Sequence, residues 1–102
     1  MEEVKVLGVE NGVLTIALKG ELHAGNAAEF YEAAIAAYKA QPSDVLFDGT
    51  ELTFIDSTAL GTFVKILKSA KTDGNKIVLK NLHANIKKLF LICSLDKIME
   101  IL

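Results

Sequence analysis

One cysteine and two histidines are all the thiol and imidazole chemistry in this sequence, and their scarcity excludes whole classes of protein. A lone cysteine forms no internal disulfide and builds no multi-thiolate metal site. His23 and His83 stand in no metal-ligand spacing. Gly20 and Gly25 have neither the spacing of a phosphate loop nor a flanking Lys-Ser/Thr. No nucleophile has a base at an identifiable spacing, so neither a cofactor nor enzymatic activity is expected. Positive charge is not in excess either. Eleven Lys plus Arg against 13 Asp plus Glu leave a net charge of −2, without the broad basic field that nucleic acid or anionic lipid selects. No apolar run approaches the ~18 residues of a membrane span. The start, Met1-Glu2-Glu3-Val4, is acidic where a secretory signal is basic, which makes the cytoplasm the expected compartment.

What is present is a chain of 102 residues, 51% hydrophobic, suited to a single domain over residues 1–102 with one core. Val4 to Val9 reads as a strand, and Asn11-Gly12 supplies the positive φ angles of a tight hairpin turn. Val13 to Leu18 reads as a second strand, ending near Gly20. From Ala24 to Ala40 the period changes: Ala27, Phe30, Tyr31, Ala34, Ile35 and Tyr38 fall on one helical face, stopped at Gln41-Pro42. Val45-Leu46-Phe47, apolar on both faces, suits a buried central strand ending at Asp48-Gly49. After Asp56, a second helix carries the stripe Leu60, Phe63, Val64, Leu67 and Ala70. Lys65, Lys68 and Lys71 lie on its solvated side, and Gly74 is its left-handed cap. Ile77-Val78-Leu79 is another buried strand. Ile86, Leu89, Phe90 and Cys93 form a third helical face, which makes Cys93 a small core residue. Ile98 to Leu102 is the last strand. The order ββαβαβαβ predicts an α/β fold: a mostly parallel, twisted sheet with an antiparallel N-terminal hairpin and helices packed against it.

One constellation stands apart, Phe54-Ile55-Asp56-Ser57-Thr58-Ala59-Leu60-Gly61. Asp56 suits a helix N-cap, its carboxylate accepting from free backbone N–H groups of the first turn. Ser57 then occupies the first helical position, with its hydroxyl near the helix end. A phosphate there meets uncompensated N–H donors and the positive end of the helix dipole. It adds about −1.5 to −2 charges without disturbing the helix, so it can switch a surface without unfolding it. The same three residues also make an ordinary well-capped helix start, and on composition alone that is the commoner reading. His23 likewise reads first as a polar loop residue, ahead of a ligand or a pH sensor.

Gly20-Glu21-Leu22, Val45-Leu46-Phe47-Asp48, the segment Phe54 to Gly61, and Gly74 before an apolar strand together resemble the STAS domain, most nearly the bacterial anti-sigma-factor antagonists. The late segments Ile86 to Phe90 and Ser94 to Ile98 are similar too, so the resemblance covers nearly the whole chain. It implies that Ser57 is phosphorylated by an anti-sigma factor that is itself a serine kinase, with Asp56 and Thr58 supporting the site. The unmodified protein would bind that kinase and free a sigma factor for transcription; a serine phosphatase would reset the phosphorylated form. The partner surface implied is Glu21, His23, Asp56, Ser57, Thr58, Ala59 and Leu60. Three departures stand out. His23 replaces a frequent aspartate. Ala59 replaces a glycine and adds a methyl group where a partner would approach. The chain also ends about where the family's final helix begins, and that missing cover favours self-association as a homodimer or a different partner.

Other STAS-like proteins serve as accessory subunits of lipid-transport ATPases or in stress-sensing assemblies, and both alternatives stay open. Some are cytoplasmic tails of anion transporters, but no transporter segment is present here. A receiver domain with Asp48 as phospho-acceptor is poorly matched, since it needs an acidic pair after the first strand and a lysine after the last.

Overall fold

The computed structural model describes every residue from Met1 to Leu102. Five strands and three helices follow in the order β1 (Val4–Glu10), β2 (Val13–Leu22), α1 (Ala27–Ala40), β3 (Asp44–Ile55), α2 (Ser57–Thr72), β4 (Ile77–Lys80), α3 (Ala84–Ile92) and β5 (Glu100–Ile101), with a 3-10 turn at Leu95–Lys97 before β5. The sheet runs β1-β2-β3-β4-β5. β1 pairs antiparallel with β2, and every later pair is parallel. The hairpin turns on Asn11 (φ 54°) and Gly12 (φ 78°), the left-handed pair its Asn-Gly dipeptide is suited to.

Each new strand is added on the same side of the last, so crossovers of one hand lay all three helices on a single face. The side chains agree. β2 alternates strictly, with Leu14, Ile16 and Leu18 buried and Val13, Thr15 and Ala17 half-buried. At the centre of the covered face Phe47 of β3 meets Phe30 of α1 and Phe63 of α2 edge-on, with centroids 6.1 and 5.1 Å apart. Phe63 in turn meets Phe90 of α3 at 5.3 Å. Four aromatic side chains thus tie three helices to one strand, each pair contributing about 0.5–1.5 kcal/mol beyond the area it buries.

The boundaries differ from the sequence reading where local chemistry overrides the apolar pattern. β3 does not end at Asp48-Gly49 but continues to Ile55, pairing with β2 through two irregularities of register. Gly49 allows this because a Cβ there would stand 2.6 Å from the Leu82 side chain. Leu46 faces away from the helices and is half-buried, so β3 is closed over on one face only. α1 begins at Ala27, because Ala24 to Asn26 are used in a turn. On α2, Ile66 is buried and Val64 only half-buried. Cys93 is exposed, contrary to expectation: it is the cap that follows α3, past the last helical residue, and Ser94 turns the chain away at φ 58°. Leu89 is likewise exposed, while Leu95 and Met99 complete the core beneath. The last strand is two residues long because the chain is still turning at Ile98 and Met99, whose N–H groups both return to the Leu95 carbonyl after the 3-10 turn.

Candidate functional site

β3 delivers the chain to the site. Ile55 is buried at its end, and Asp56 follows in an extended conformation (φ −111°, ψ −178°) that breaks the strand and starts α2. The Asp56 carboxylate holds two segments at once. Its Oδ1 accepts from the Ala59 N–H of the first helical turn, and its Oδ2 from the Ala24 N–H of the β2–α1 loop, both at 2.9 Å. These contacts hold its carboxyl below the ordinary value of 3.8, the Ala59 N–H acting most strongly and the Ala24 N–H next, against a smaller opposing effect of desolvation. The Thr58 N–H and the His23 charge add smaller contributions in the same direction. Asp56 is therefore both the N-cap of α2 and a clamp on the neighbouring loop.

That loop is bonded within itself as well. The Asn26 side chain accepts from the His23 N–H and donates to the Glu21 carbonyl, each at 2.9 Å. The Gly25 N–H donates to His23 Nδ1 at 2.9 Å. The result is a fixed ledge beside the first turn of α2.

Ser57 and Thr58 are exposed on that turn, and Glu21 is exposed beside them at the end of β2, with His23 half-buried. The structure brings these together with Asp56. It does not bring Ala59 and Leu60 to the surface: they are 0% and 7% exposed, packed inward against the core. The Ala59 methyl therefore fills the interior and stands in no partner's path. Their inward position follows from the helical period, since residues three and four after an N-cap aspartate on this face meet the sheet.

Three surface features went unread in the sequence. Phe54 is 46% exposed, although it lies next to the site; a register irregularity against Gly20 and Glu21 breaks the alternation of β3 here, so that Leu52 and Ile55 are buried and Thr53 and Phe54 face outward. A groove of about 600 Å³ runs between α1 and α2 from Ala24 and Thr58, past Ala28 and Gly61, to Tyr31 and Lys65. Small residues open it, because Gly61 presents nothing that a Cβ would meet. Lys65, expected on a solvated face with Lys68 and Lys71, lies 5.9 Å above the Tyr31 ring at the groove's far end.

Elsewhere, Asp48 is half-buried, and its Oδ1 accepts from the Thr50 hydroxyl (2.6 Å), the Thr50 N–H (3.0 Å) and the Asn81 amide (3.3 Å). The Thr50 hydroxyl is the main cause of its lowered pKa, partly offset by burial. This carboxylate braces the irregular middle of β3. No group of His, Cys, Asp and Glu side chains converges to hold a metal ion, and no helix is long and apolar enough to cross a membrane.

Residues 5–102 match the STAS domain. The chain belongs to that family. Among its relatives, the anti-sigma-B factor antagonist of Listeria monocytogenes is 36% identical over 89 residues, spanning 86% of this chain and 77% of its own. Two solved structures share the STAS architecture closely. TM1081 of Thermotoga maritima superposes with a TM-score of 0.86 at 23% identity, covering 96% of this chain and 84% of its own. The Bacillus cell-fate determinant SpoIIAA, in its phosphorylated form, gives a TM-score of 0.75 at 18% identity, covering 97% and 90%.

Proposed function

We propose that this STAS domain is an anti-sigma-factor antagonist, a protein-binding switch controlled by phosphorylation of Ser57. It acts in the cytoplasm, without cofactor or catalysis of its own. Unmodified, it binds an anti-sigma factor that is also a serine kinase and so releases a sigma factor for transcription. Phosphorylation by that kinase ends the complex, and a serine phosphatase restores it. Nucleic acid and membrane have no part in the recognition.

The observation that carries this reading is the exposed Ser57 hydroxyl at the first position of a helix whose N-cap is already filled by Asp56. The hydroxyl is free to react because the cap does not use it, and the product phosphate would face the helix dipole and an N–H without a protein partner. The relative from Listeria monocytogenes bears the name of this function. Glu21, His23, Asp56, Ser57 and Thr58 form the contact surface, extended by Phe54 and the mouth of the α1–α2 groove. A partner packed there excludes water from Ser57, so a new dianion is costly to bury unless it finds a counter-charge.

Incubation with the cognate kinase and ATP places one phosphate per chain, at Ser57 by mass spectrometry. Phosphate on Thr58 or Asp48 alone overturns the assignment. Size measurement in solution tests self-association separately, since a homodimer through the less covered sheet face leaves Ser57 accessible.

A further inference from the structure

Phe54 faces solvent because the pairing of β2 and β3 slips beside it. β3 takes two steps, from Leu52 to Phe54, while β2 takes one, from Gly20 to Glu21. Thr53 is the extra residue. Its hydroxyl donates to the Gly20 carbonyl at 3.0 Å, and Gly20 lies in the left-handed region at φ 71°. Such bulges are rare between parallel strands and over-represented beside functional sites, where they re-aim a side chain. Under strict alternation Phe54 would share the buried face of Leu52, and Ile55 would point outward. The slip reverses that choice: Ile55 is 3% exposed and Phe54 46%. β3 therefore shows the aromatic side chain to water and buries the aliphatic one. Phe54 also stands close to Ser57. Three residues of chain separate them, a reach of at most about 11 Å. An interface of standard size covers about 800 Å² on each partner, a patch about 30 Å across, so a partner centred on Ser57 covers Phe54 as well. Other exposed apolar side chains lie on other elements, Val6 and Leu7 on β1 and Leu91 and Ile92 at the end of α3. The surround of Phe54 is acidic. Glu21, its cross-strand neighbour, is exposed, and neither Gly20 to Glu32 nor Thr53 to Val64 contains Lys or Arg.

We propose that Phe54 is the anchor of the docking surface, its ring entering an apolar pocket on the anti-sigma factor that has a lysine or arginine at its edge to meet Glu21. This rests on the reading of the Ser57 face as the contact surface. Aromatic side chains are enriched at interfaces, and a few residues carry most of the binding energy. A ring already held in its bound direction loses little freedom on association. The bulge and the Thr53 bond to Gly20 fix the backbone that carries it. Anchor and switch are then separate parts of one surface. Phe54 acts by apolar burial and sets how tightly the partner is held; Ser57 acts by charge and sets whether it is held.

The test titrates the unphosphorylated full chain against its purified cognate anti-sigma factor. Phe54→Ala is expected to weaken the complex about thirtyfold or more while circular dichroism keeps its helix signal. Phe54→Leu, which retains apolar bulk without the ring, falls between that variant and wild type. Ile92→Ala, at a side chain 67% exposed on α3, binds as wild type does. Glu21→Gln weakens binding at low salt and less at high salt, as a screened ion pair requires. With the factor acting as kinase, Phe54→Ala raises the KM of the chain as substrate more than it lowers kcat. A folded Phe54→Ala that binds within about threefold of wild type overturns the proposal and leaves the Ser57 reading standing. An equal loss from Ile92→Ala does the same, and a Glu21→Gln effect indifferent to salt overturns the charged pocket edge. Where Phe54→Ala fails to fold, Phe54→Leu decides by the same measure. Wild type that binds no anti-sigma factor overturns the parent reading, and this one with it.

Discussion

The two ends of α2 solve the same problem in opposite ways. At its C-terminus the helix finishes in a Schellman motif: the Gly74 N–H returns to the Lys71 carbonyl at 3.0 Å and the Asn75 N–H to Ala70 at 2.9 Å, with Gly74 at φ 77°. Buried Tyr38 from α1 locks this end, donating to Asp73 Oδ2 at 2.7 Å and accepting from the Asn75 amide at 2.9 Å. Burial chiefly raises the Tyr38 pKa, so its hydroxyl stays protonated as a donor. At the N-terminus Asp56 satisfies the Ala59 N–H, yet the Ser57 N–H has no partner in the chain and the Ser57 hydroxyl faces solvent. One end is closed by structure. The other is stable but unfinished, and an unfinished helix N-terminus is a place for an anion.

The comparison breaks most readily at the closed end. Tyr38→Ala removes a fully packed aromatic ring and orphans Asp73 and Asn75, and is expected to cost about 3–5 kcal/mol in denaturant unfolding. Tyr38→Phe keeps the ring and loses only its hydroxyl bonds, for about 1–2 kcal/mol. Neither alters partner affinity in the protein that remains folded. A Tyr38→Phe variant that binds the anti-sigma factor tenfold more weakly would show that the two ends are not independent.

At the open end the larger effect is on binding. Ser57→Asp is expected to leave circular dichroism nearly unchanged while weakening the partner complex tenfold or more, about 1.4 kcal/mol. Phosphoserine, longer and carrying more charge, weakens it further. Equal affinities for wild type, Ser57→Asp and the phosphorylated protein would place Ser57 outside the interface. Lost binding with lost helix signal would make the effect unfolding.

Asp56 sets the stability of this end, and its contribution has a definite pH dependence. Its folded pKa lies below 3.8, so the ionised carboxylate stabilises the fold at pH above 3.8, and that contribution is lost as pH falls through the lower folded value. Asp56→Ala is therefore expected to destabilise at neutral pH by less than Tyr38→Ala, and to show a shallower fall in stability below pH 3.8 than wild type. Urea midpoints measured from pH 7 down to 2.5 check both; parallel curves for the two proteins would mean that the carboxylate's bonds to Ala59 and Ala24 contribute little.

Much of this was legible from residue types, and what was not has physical reasons. Asn11-Gly12, Gly74 and Asp56 each impose a backbone geometry that few residues satisfy, so the hairpin, the Schellman end and the N-cap could be placed from the sequence. Periodicity located the α2 stripe but mistook Cys93 for core, because it cannot see that α3 stops at Ile92, and Leu89 for core, because the buried face of α3 is narrow and takes in only Ile86 and Phe90. Nor did it show that β3 runs on past Gly49, which depends on Leu82, 33 positions later, packing where a side chain would be. At the site, the resemblance to STAS proteins pointed to the segment from Asp56 to Leu60 as one surface. The helical period divides it instead, Ser57 and Thr58 outward and Ala59 and Leu60 inward. The bond from Asp56 to Ala24 joins residues 32 apart, and no local pattern contains it.

The smallest expected effect sharpens the contrast furthest. Ser57 donates no hydrogen bond within the protein and its side chain is exposed, so Ser57→Ala removes only solvated atoms. Alanine also favours the helix slightly more than serine does. The stability change should therefore stay within about 0.5 kcal/mol of wild type in either direction. A cap residue behaves otherwise: were Ser57 the true N-cap, its loss would cost about 0.5–2 kcal/mol. Urea unfolding of Ser57→Ala beside Asp56→Ala separates the two roles. A near-neutral Ser57→Ala with a clearly weakened Asp56→Ala assigns the cap to Asp56 and leaves the serine hydroxyl free for chemistry. Losses of equal size would mean that both side chains hold the helix end, and the open end of α2 would then be as structural as the closed one.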